Sequence, residues 1–282
     1  MPPRKVPPAA DPERLTQRSG RVRAARQLTR GAGRTQHRLF LAEGAKALSS
    51  ALSVTGCVVE VFATAAASTT YADAQAEVRA VGVPWRIATD DSVASLSGTV
   101  TPQGVVAVCR FLDVPLESVF GPAPKAGHRV VAVCADVRDP GNAGTMIRTA
   151  DAAGAAAVVL TGHSVDLYND KTVRATAGSL FHLPIALTDD PAETVRVLRK
   201  QGYAVLAADG SGEIDLFEAT RRGLLDGQVA WLFGNEAWGL PGELAALAEH
   251  RVSIPILGRA ESLNLATAGA VCLYASAARS IA

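Results

Sequence analysis

Three segments of this sequence combine polar side chains with glycine and proline in patterns that can do chemistry. The first, residues 136–150, contains Asn142 and Arg148, an amide and a permanent cation suited to an anionic substrate. Pro140 and Gly141 predict a turn, which places Asn142 as the N-cap of the following helix. Arg148 then lies about 240° around that helix from Asn142. A plain cap and a surface cation would give the same pattern, so both interpretations stay open.

The second segment, residues 232–241, follows an apolar strand and carries a carboxylate between two glycines. Gly234 and Gly239 flank Glu236, and glycine permits close backbone approach or a positive φ. Pro241 is suited to begin the next helix. An ordinary strand-to-helix turn with an exposed glutamate is the alternative.

The third segment, residues 254–270, places two polar residues at the start of a helix rich in alanine and glycine. Ser262 and Asn264 precede small residues that let another backbone pack closely. A capped core helix is the alternative. All three segments follow apolar strands, which is where open α/β sheets place ligand sites.

The elements that must position these segments alternate along the second half of the chain. Continuously apolar strands separated by helices predict a mostly parallel sheet covered on both faces. Neither G-x-G-x-x-G after its first strand nor G-x-x-x-x-G-K-[ST] occurs, so dinucleotide and P-loop chemistry are not expected. The predicted strands are residues 130–134, 157–160, 185–187, 204–208, 229–233 and 252–254, and the predicted helices are 143–153, 192–200, 242–249 and 265–280.

The first half predicts a smaller α/β domain, and residues 114–127, with three prolines and two glycines, predict a linker. We therefore expect four parts: a basic, partly disordered extension (1–34), a small α/β domain (35–112), a linker (113–127) and a larger α/β domain (128–282).

Positive charge is concentrated at the N-terminus. The chain as a whole carries a net charge of +1, yet residues 1–38 contain ten cations, nine of them arginine, and two acids. This asymmetry indicates a polyanionic partner, and arginine favours phosphate forks and base stacking. A solvated basic tail is the alternative.

Composition excludes several classes of protein. The apolar runs are too short to span a bilayer, and no apolar segment follows the N-terminal cations as in a signal peptide. The four cysteines are far apart and form no C-x-x-C pair, so neither a metal site nor a disulfide framework is expected. We expect a cytoplasmic protein with buried thiols.

Together and in this order, the motifs resemble those of a known family. The sequences N-A-G-T-M-I-R-T-A-D-A-A-G (142–154), G-N-E-A-W-G-L (234–240), and I-P-I with E-S-L-N-L-A (within 254–266) resemble the three motifs of the SpoU (TrmH-like) RNA 2′-O-ribose methyltransferases of the SPOUT superfamily. F-L-A-E-G (40–44) and T-P-Q-G-V-V-A-V (101–108) resemble the substrate-binding module of that family, which is of the L30e type.

The resemblance implies an α/β fold with a C-terminal trefoil-knotted SPOUT methyltransferase domain and a smaller L30e-like N-terminal domain. It also implies a homodimer that binds S-adenosylmethionine largely through backbone groups. By position, the cofactor contacts are Gly234, Ile254, Leu263, Ile256 and Asn264.

The same resemblance gives Arg148 a central catalytic role, supported by Asn142, Glu236, Ser262 and Asn264. An arginine side chain keeps its proton at neutral pH, which argues against a simple general base. Two roles stay open: a substrate phosphate relays the proton, or Arg148 stabilises the developing alkoxide.

The L30e-like module and the arginine-rich segment favour ribosomal RNA over tRNA as substrate. The arginines expected to contact RNA are Arg18, Arg21, Arg23, Arg26, Arg30, Arg34 and Arg38. A tRNA methyltransferase of the same family and a catalytically inactive RNA-binding or ribosome-assembly protein are the alternatives. Both a housekeeping role and self-protection against a ribosome-directed antibiotic fit this sequence.

Overall fold

The computed structural model describes residues 14–120 and 129–281. Internal contacts divide the chain into two units, Met1–Phe111 and Leu112–Ala282. The start of the basic extension, with Arg4 and Lys5, and the second half of the expected linker lie outside the described residues.

The first unit is built on a four-stranded sheet in the order β1-β4-β2-β3. Strand β4 is antiparallel to both of its neighbours, and β3 is parallel to β2. Its strands are β1 (Leu39–Glu43), β2 (Val58–Ala63), β3 (Trp85–Ile87) and β4 (Val105–Arg110), and its helices are α1 (Gly20–Gln27), α2 (Gly31–His37), α3 (Ala45–Leu52), α4 (Ala65–Thr70), α5 (Ala72–Ala80) and α6 (Asp90–Ala94).

The N-terminal boundary of this unit differs from the one expected at residue 35. Val22, Ala25 and Leu28 are buried in the same apolar cluster as Phe62. The Leu15 N–H donates to the Ile87 carbonyl oxygen at 2.9 Å. The described part of the supposed extension therefore belongs to the domain, because spacing by three residues gives α1 an apolar stripe that faces the sheet.

The second unit is built on a seven-stranded, fully parallel sheet in the order β7-β6-β5-β10-β8-β11-β9. This confirms the predicted parallel α/β fold. The strands are β5 (Arg129–Ala135), β6 (Ala157–Thr161), β7 (Ile185–Thr188), β8 (Ala204–Ala208), β9 (Ile214–Asp215), β10 (Gln228–Phe233) and β11 (His250–Ser253). The helices are α7 (Pro140–Ala152), α8 (Asp170–Ala175), α9 (Pro191–Lys200), α10 (Leu216–Arg221), α11 (Gly242–Ala245) and α12 (Leu265–Ile281).

The described part of the expected linker packs with the second unit. Val119 is fully buried in the core cluster that contains Val133 and Leu232. The Val114 N–H donates to the Ile185 carbonyl oxygen at 2.9 Å. Proline content suggested a linker, but the apolar side chains between the prolines hold this segment on the sheet.

Close packing at glycine places α7 and α12, the helices that carry the first and third motifs. A Cβ at Gly144 of α7 would lie 2.4 Å from Ala175 Cβ and 2.7 Å from the Thr172 carbonyl oxygen. A Cβ at Gly269 of α12 would lie 2.3 Å from Met146 Cε. Gly269 therefore makes room for a side chain of α7 rather than for a second backbone, which the sequence had suggested.

All four cysteines are buried, as expected, and their thiols are free. Burial raises the pKa of Cys134 and of Cys272 to about 12, so these thiols stay protonated. Within the described ranges, the side chains form no cluster of three or more potential metal ligands. No helix in the described part of the chain is long and apolar enough to cross a membrane.

Candidate functional site

A cleft of about 310 Å³ lies where β8, β10 and β11 end. Its wall includes Ala208 at the end of β8, Gly234 just after β10, and Val252 within β11. The carboxyl ends of parallel strands meet along one edge of a sheet, which explains why segments far apart in sequence converge here.

Six of the site residues predicted from the sequence line this cleft: Gly234, Glu236, Ile254, Ile256, Ser262 and Leu263. The lining residues that were not predicted as site residues include Asp209, Gly210, Asn235 and Glu261. The signal for the first two was available, because a carboxylate and a glycine directly follow an apolar strand at Ala208.

The second motif forms a tight loop. The Asn235 N–H donates to the Gly239 carbonyl oxygen at 2.9 Å, and the Gly239 N–H donates back to the Asn235 carbonyl oxygen at 3.0 Å. The Asn235 side chain is only 6% exposed. Its amide donates to the Asp136 carbonyl oxygen at 2.7 Å, and its oxygen accepts from the Ala237 N–H at 2.8 Å. Side-chain and backbone bonds together fix the conformation of residues 235–239.

Gly234 allows close backbone approach, one of the two roles that its sequence context suggested. A Cβ at this position would lie 2.3 Å from the Gly239 carbonyl carbon and 2.5 Å from the Leu240 nitrogen. The space beside Gly234 is thus filled by the chain's own backbone. Gly239 supplies the turn, since its φ is +70°.

Glu236 ties the second motif to the first. Its carboxylate accepts hydrogen bonds from the backbone N–H groups of Arg138 at 3.2 Å and Asp139 at 3.0 Å, and from Asn142 Nδ2 at 3.2 Å. Partial burial acts to raise the pKa of Glu236, but the N–H donors of Glu236 itself, Asp139 and Arg138 and the Asn142 amide outweigh it, and the pKa is lowered. The carboxylate is therefore ionised at neutral pH.

Asn142 is not the N-cap of α7, contrary to the expectation. Asp139 is the cap, and its side chain accepts from the Asn142 N–H at 2.7 Å. The helix begins at Pro140, because proline at the first helical position needs no N–H partner and has a suitable φ. The amide of Asn142 is thereby left available for contacts outside the helix.

The same amide connects the first motif to the third. Asn264 Nδ2 donates to Asn142 Oδ1 at 3.0 Å. Asn264 Oδ1 accepts from the N–H groups of Ala266 at 2.9 Å and Thr267 at 3.3 Å, so Asn264 caps α12. A continuous chain of hydrogen bonds thus runs from Glu236 through Asn142 to Asn264.

Arg148 stands apart from this network. It lies six residues beyond Asn142 on α7, about 9 Å along the helix axis, and its side chain is exposed. Among the described residues it has no hydrogen-bond or ion-pair partner, and it is not among those that line the cleft. Its guanidinium is available to a group from outside this chain.

The seven arginines expected to bind RNA fall into two sets. Arg23, Arg26 and Arg30 line a second cleft, of about 610 Å³, together with His37. Arg26 also donates from Nη2 to Ser95 Oγ at 3.0 Å. Arg18 is exposed.

The other three arginines do not line this cleft and have contacts within the first unit. Arg21 pairs with Glu60 at 3.4 Å, and the guanidinium of Arg38 lies 4.6 Å from the centre of the Phe111 ring. Arg34 corrects the expectation most clearly. It is 6% exposed and donates to the Leu28 carbonyl oxygen at 3.0 Å, so it stabilises the α1–α2 connection.

Comparison with known families identifies both units. Residues 129–274 match the SpoU rRNA Methylase family. Residues 20–107 match the MRM3-like substrate binding domain. The second match begins before residue 35, in agreement with the packing of α1.

The chain is also similar to characterised proteins. It is 32% identical over 244 residues to the 23S rRNA (guanosine(2553)-2'-O)-methyltransferase RlmP of Bacillus subtilis, covering 86% of this chain and 89% of that one. An rRNA methyltransferase from Sinorhizobium meliloti, solved with bound AdoMet, is 32% identical, covers 94% of this chain and 97% of its own, and superposes with a TM-score of 0.79. The SpoU methyltransferase AviRb of Streptomyces viridochromogenes, in complex with AdoMet, is 27% identical and superposes with a TM-score of 0.80. This match covers 93% of this chain and 99% of AviRb.

The hydrogen bonds to Glu236 predict a pH-dependent contribution to stability. We expect Glu236→Gln to lower the free energy of unfolding at neutral pH, because an amide cannot accept from all three donors. The difference from wild type should vanish as pH falls through the lowered pKa of Glu236, where the wild-type carboxylate becomes neutral too. Urea unfolding across a pH series measures it.

Glu193→Gln, on the exposed face of α9, is the matched control and should leave stability nearly unchanged. A wild-type advantage over Glu236→Gln that persists unchanged at acidic pH would contradict the ionised-acceptor role.

Proposed function

This chain belongs to the SpoU methylase family, and on that premise we propose that it transfers a methyl group from S-adenosylmethionine to a ribose 2′-hydroxyl of ribosomal RNA. The observation that carries the proposal is that the second and third motifs line one cleft. Hydrogen bonds from Glu236 through Asn142 to Asn264 join the first motif to both of them. All five residues implied in catalysis are present, which argues against an inactive RNA-binding protein.

The cleft fits the cofactor chemically. Apolar side chains of Ile254, Ile256 and Leu263 line it beside Gly234, and Asp209 and Glu261 add carboxylates that suit the hydroxyls and positive charge of such a molecule. Asn264 caps α12 next to Leu263 and holds that segment in place. When bound, S-adenosylmethionine supplies a methyl group activated by its positively charged sulfur.

The chain's own residues must then manage the substrate hydroxyl, which loses a proton as its oxygen becomes a nucleophile. We assign to Arg148 the stabilisation of that oxygen, or of a substrate phosphate that relays the proton, since its guanidinium has no partner in the described chain. Glu236 fixes Asn142 and the start of α7, and Ser262 lies in the cleft wall as a further polar contact.

A second copy of this chain is the partner we propose for the exposed face of α12. Val271 is 38% exposed and Tyr274 is 53% exposed, three residues apart on one side of the helix. The opposite side is held in the core, where Trp231 donates to Ser276 at 2.9 Å. Exposed apolar side chains on a long helix favour association. The trefoil knot and the cytoplasmic location stay predictions, as does the role in antibiotic self-protection.

We further propose that the α1–α2 cleft with Arg23, Arg26 and Arg30 holds the RNA backbone. These side chains converge on one concave surface, which Arg21, Arg34 and Arg38 do not line. Arg26 is held there by a hydrogen bond from its Nη2 to Ser95 Oγ at 3.0 Å. Guanidinium groups bind phosphate in a bidentate manner. The match of residues 20–107 to a substrate binding domain supports this assignment.

Arg148→Ala tests the catalytic assignment. We expect kcat to fall roughly 10²–10³-fold, the scale for loss of one group that stabilises an oxyanion, while the affinity for S-adenosylmethionine is nearly unchanged. Arg148→Lys should restore little, because an ammonium does not reproduce the guanidinium fork. Single-turnover transfer of a tritiated methyl group to unmodified 23S rRNA, beside calorimetry of cofactor binding, gives both quantities. A near-wild-type rate for Arg148→Ala would overturn the role.

Replacing Arg23, Arg26 and Arg30 by alanine together tests the RNA-binding cleft. We expect weaker binding of 23S rRNA and a shallower dependence of log K on log salt, because fewer phosphate counterions are released. Replacing Arg196, Arg221 and Arg222, all outside the proposed cleft, removes the same charge and should change the slope less. Equal slopes for the two triple variants would assign the effect to net charge alone.

Val271→Asp combined with Tyr274→Asp tests the homodimer. A charge placed in a buried apolar interface is unfavourable, so the variant should sediment as a monomer with an unchanged circular dichroism spectrum. Leu257→Asp, at another exposed apolar position that is 89% accessible, is the control and should sediment as the wild type does. Identical sedimentation of the wild type and the double variant would remove α12 as the interface.

A further inference from the structure

Trp238 is a large aromatic side chain left exposed next to the candidate site. It is 56% exposed, whereas Trp231 is fully buried. It sits in the 235–239 loop, between Glu236 and Gly239, which both line the cleft. The loop is fixed by the paired backbone bonds of Asn235 and Gly239, so the indole is presented from a rigid base.

The side chain of Arg138 lies over this indole. Its guanidinium carbon is 5.3 Å from the centre of the Trp238 ring, within the range of a cation–π interaction. The backbone N–H of Arg138 donates to Glu236 at the same time. We call these two side chains the Arg138–Trp238 platform. It joins a cation and an aromatic face. Trp238 lies two residues after Glu236, and Arg138 is hydrogen-bonded to Glu236 through its backbone N–H.

We propose that the Arg138–Trp238 platform stacks against an unstacked base of the substrate RNA next to the ribose that is methylated. This inference rests on the proposed function and adds a residue pair that positions the substrate. Proteins that recognise RNA stack splayed bases on aromatic rings and on guanidinium planes. Stacking accepts any base, because every base has a π face, so the platform would grip the target nucleotide without selecting its identity.

The rigidity of the loop favours this occupant. A base that leaves its neighbours in RNA loses stacking energy, and an indole held in place recovers part of it at little entropic cost. The nearby cation adds attraction for the RNA backbone. A second copy of this chain is the competing occupant of the exposed indole, and the experiment separates the two.

Steady-state kinetics with 23S rRNA test the platform. Trp238→Ala should raise KM for RNA about 10-fold, the scale of one base–aromatic stack, with kcat and S-adenosylmethionine affinity nearly unchanged. Trp238→Phe keeps a ring and should recover part of the loss. Phe217→Ala is the matched control, since Phe217 on α10 is equally exposed at 56% and does not line the cleft.

An unchanged KM for Trp238→Ala would overturn the proposal. So would dissociation of a wild-type dimer by this substitution without a change in KM, because the indole would then cover a second copy.

Tryptophan fluorescence measures base stacking independently of methyl transfer. Binding of a single-stranded uridine oligonucleotide should quench the wild-type emission, and an abasic strand of equal length should not. The quenched component should be missing in Trp238→Phe, which keeps the buried Trp231 and the half-buried Trp85; Trp85→Phe should keep the quenching. Equal quenching by the abasic strand would overturn base stacking. If the wild type methylates no ribosomal RNA while the uridine strand still quenches Trp238, the proposed methyl transfer is wrong, but base stacking on the Arg138–Trp238 platform is supported.

Discussion

The rest of the site depends on the three hydrogen bonds that the Glu236 carboxylate accepts. One carboxylate takes two backbone N–H groups from the segment before α7 and the amide of Asn142. These donors lie about a hundred residues away in sequence, so the bonds hold the loop after β10 against the start of α7. An ionised acceptor makes stronger hydrogen bonds than a neutral one, which explains why the carboxylate remains charged despite its partial burial.

Glycine makes this arrangement possible at three contacts. Gly234 leaves room for the backbone of Gly239, Gly144 lets α7 approach α8, and Gly269 receives the Met146 side chain under α12. In each case the missing Cβ would lie within 2.5 Å of another atom. The helices that bear the first and third motifs therefore approach closely enough for the Asn142 and Asn264 amides to meet.

The charged residues of the first unit show how one composition serves two purposes. Apolar residues of α1 pack on the sheet while its cations point elsewhere, so a basic segment and a core element are the same helix. Arg34 and Arg38 stabilise the fold through a carbonyl oxygen and an aromatic ring, and Arg23, Arg26 and Arg30 converge on a cleft. A count of positive charges cannot separate these roles, because charge does not reveal which guanidinium groups are already bound.

The sequence by itself determined the parallel α/β sheet and the strand-following loops, because apolar strands and turn residues are local signals. Polar and glycine residues after strands mark the edge where ligands bind, and this signal identified Gly234, Glu236 and Ser262 of the cleft, whereas Ile254, Ile256 and Leu263 came from the family resemblance. Only the tertiary structure decided that Asp139 rather than Asn142 caps α7, that Gly234 faces its own backbone, and that residues 15–28 and 113–120 belong to the two cores. These depend on which atoms meet across long sequence separations. The hydrogen-bond chain from Glu236 to Asn264 and the stacking of Arg138 on Trp238 arise for the same reason, from distances that no local pattern encodes.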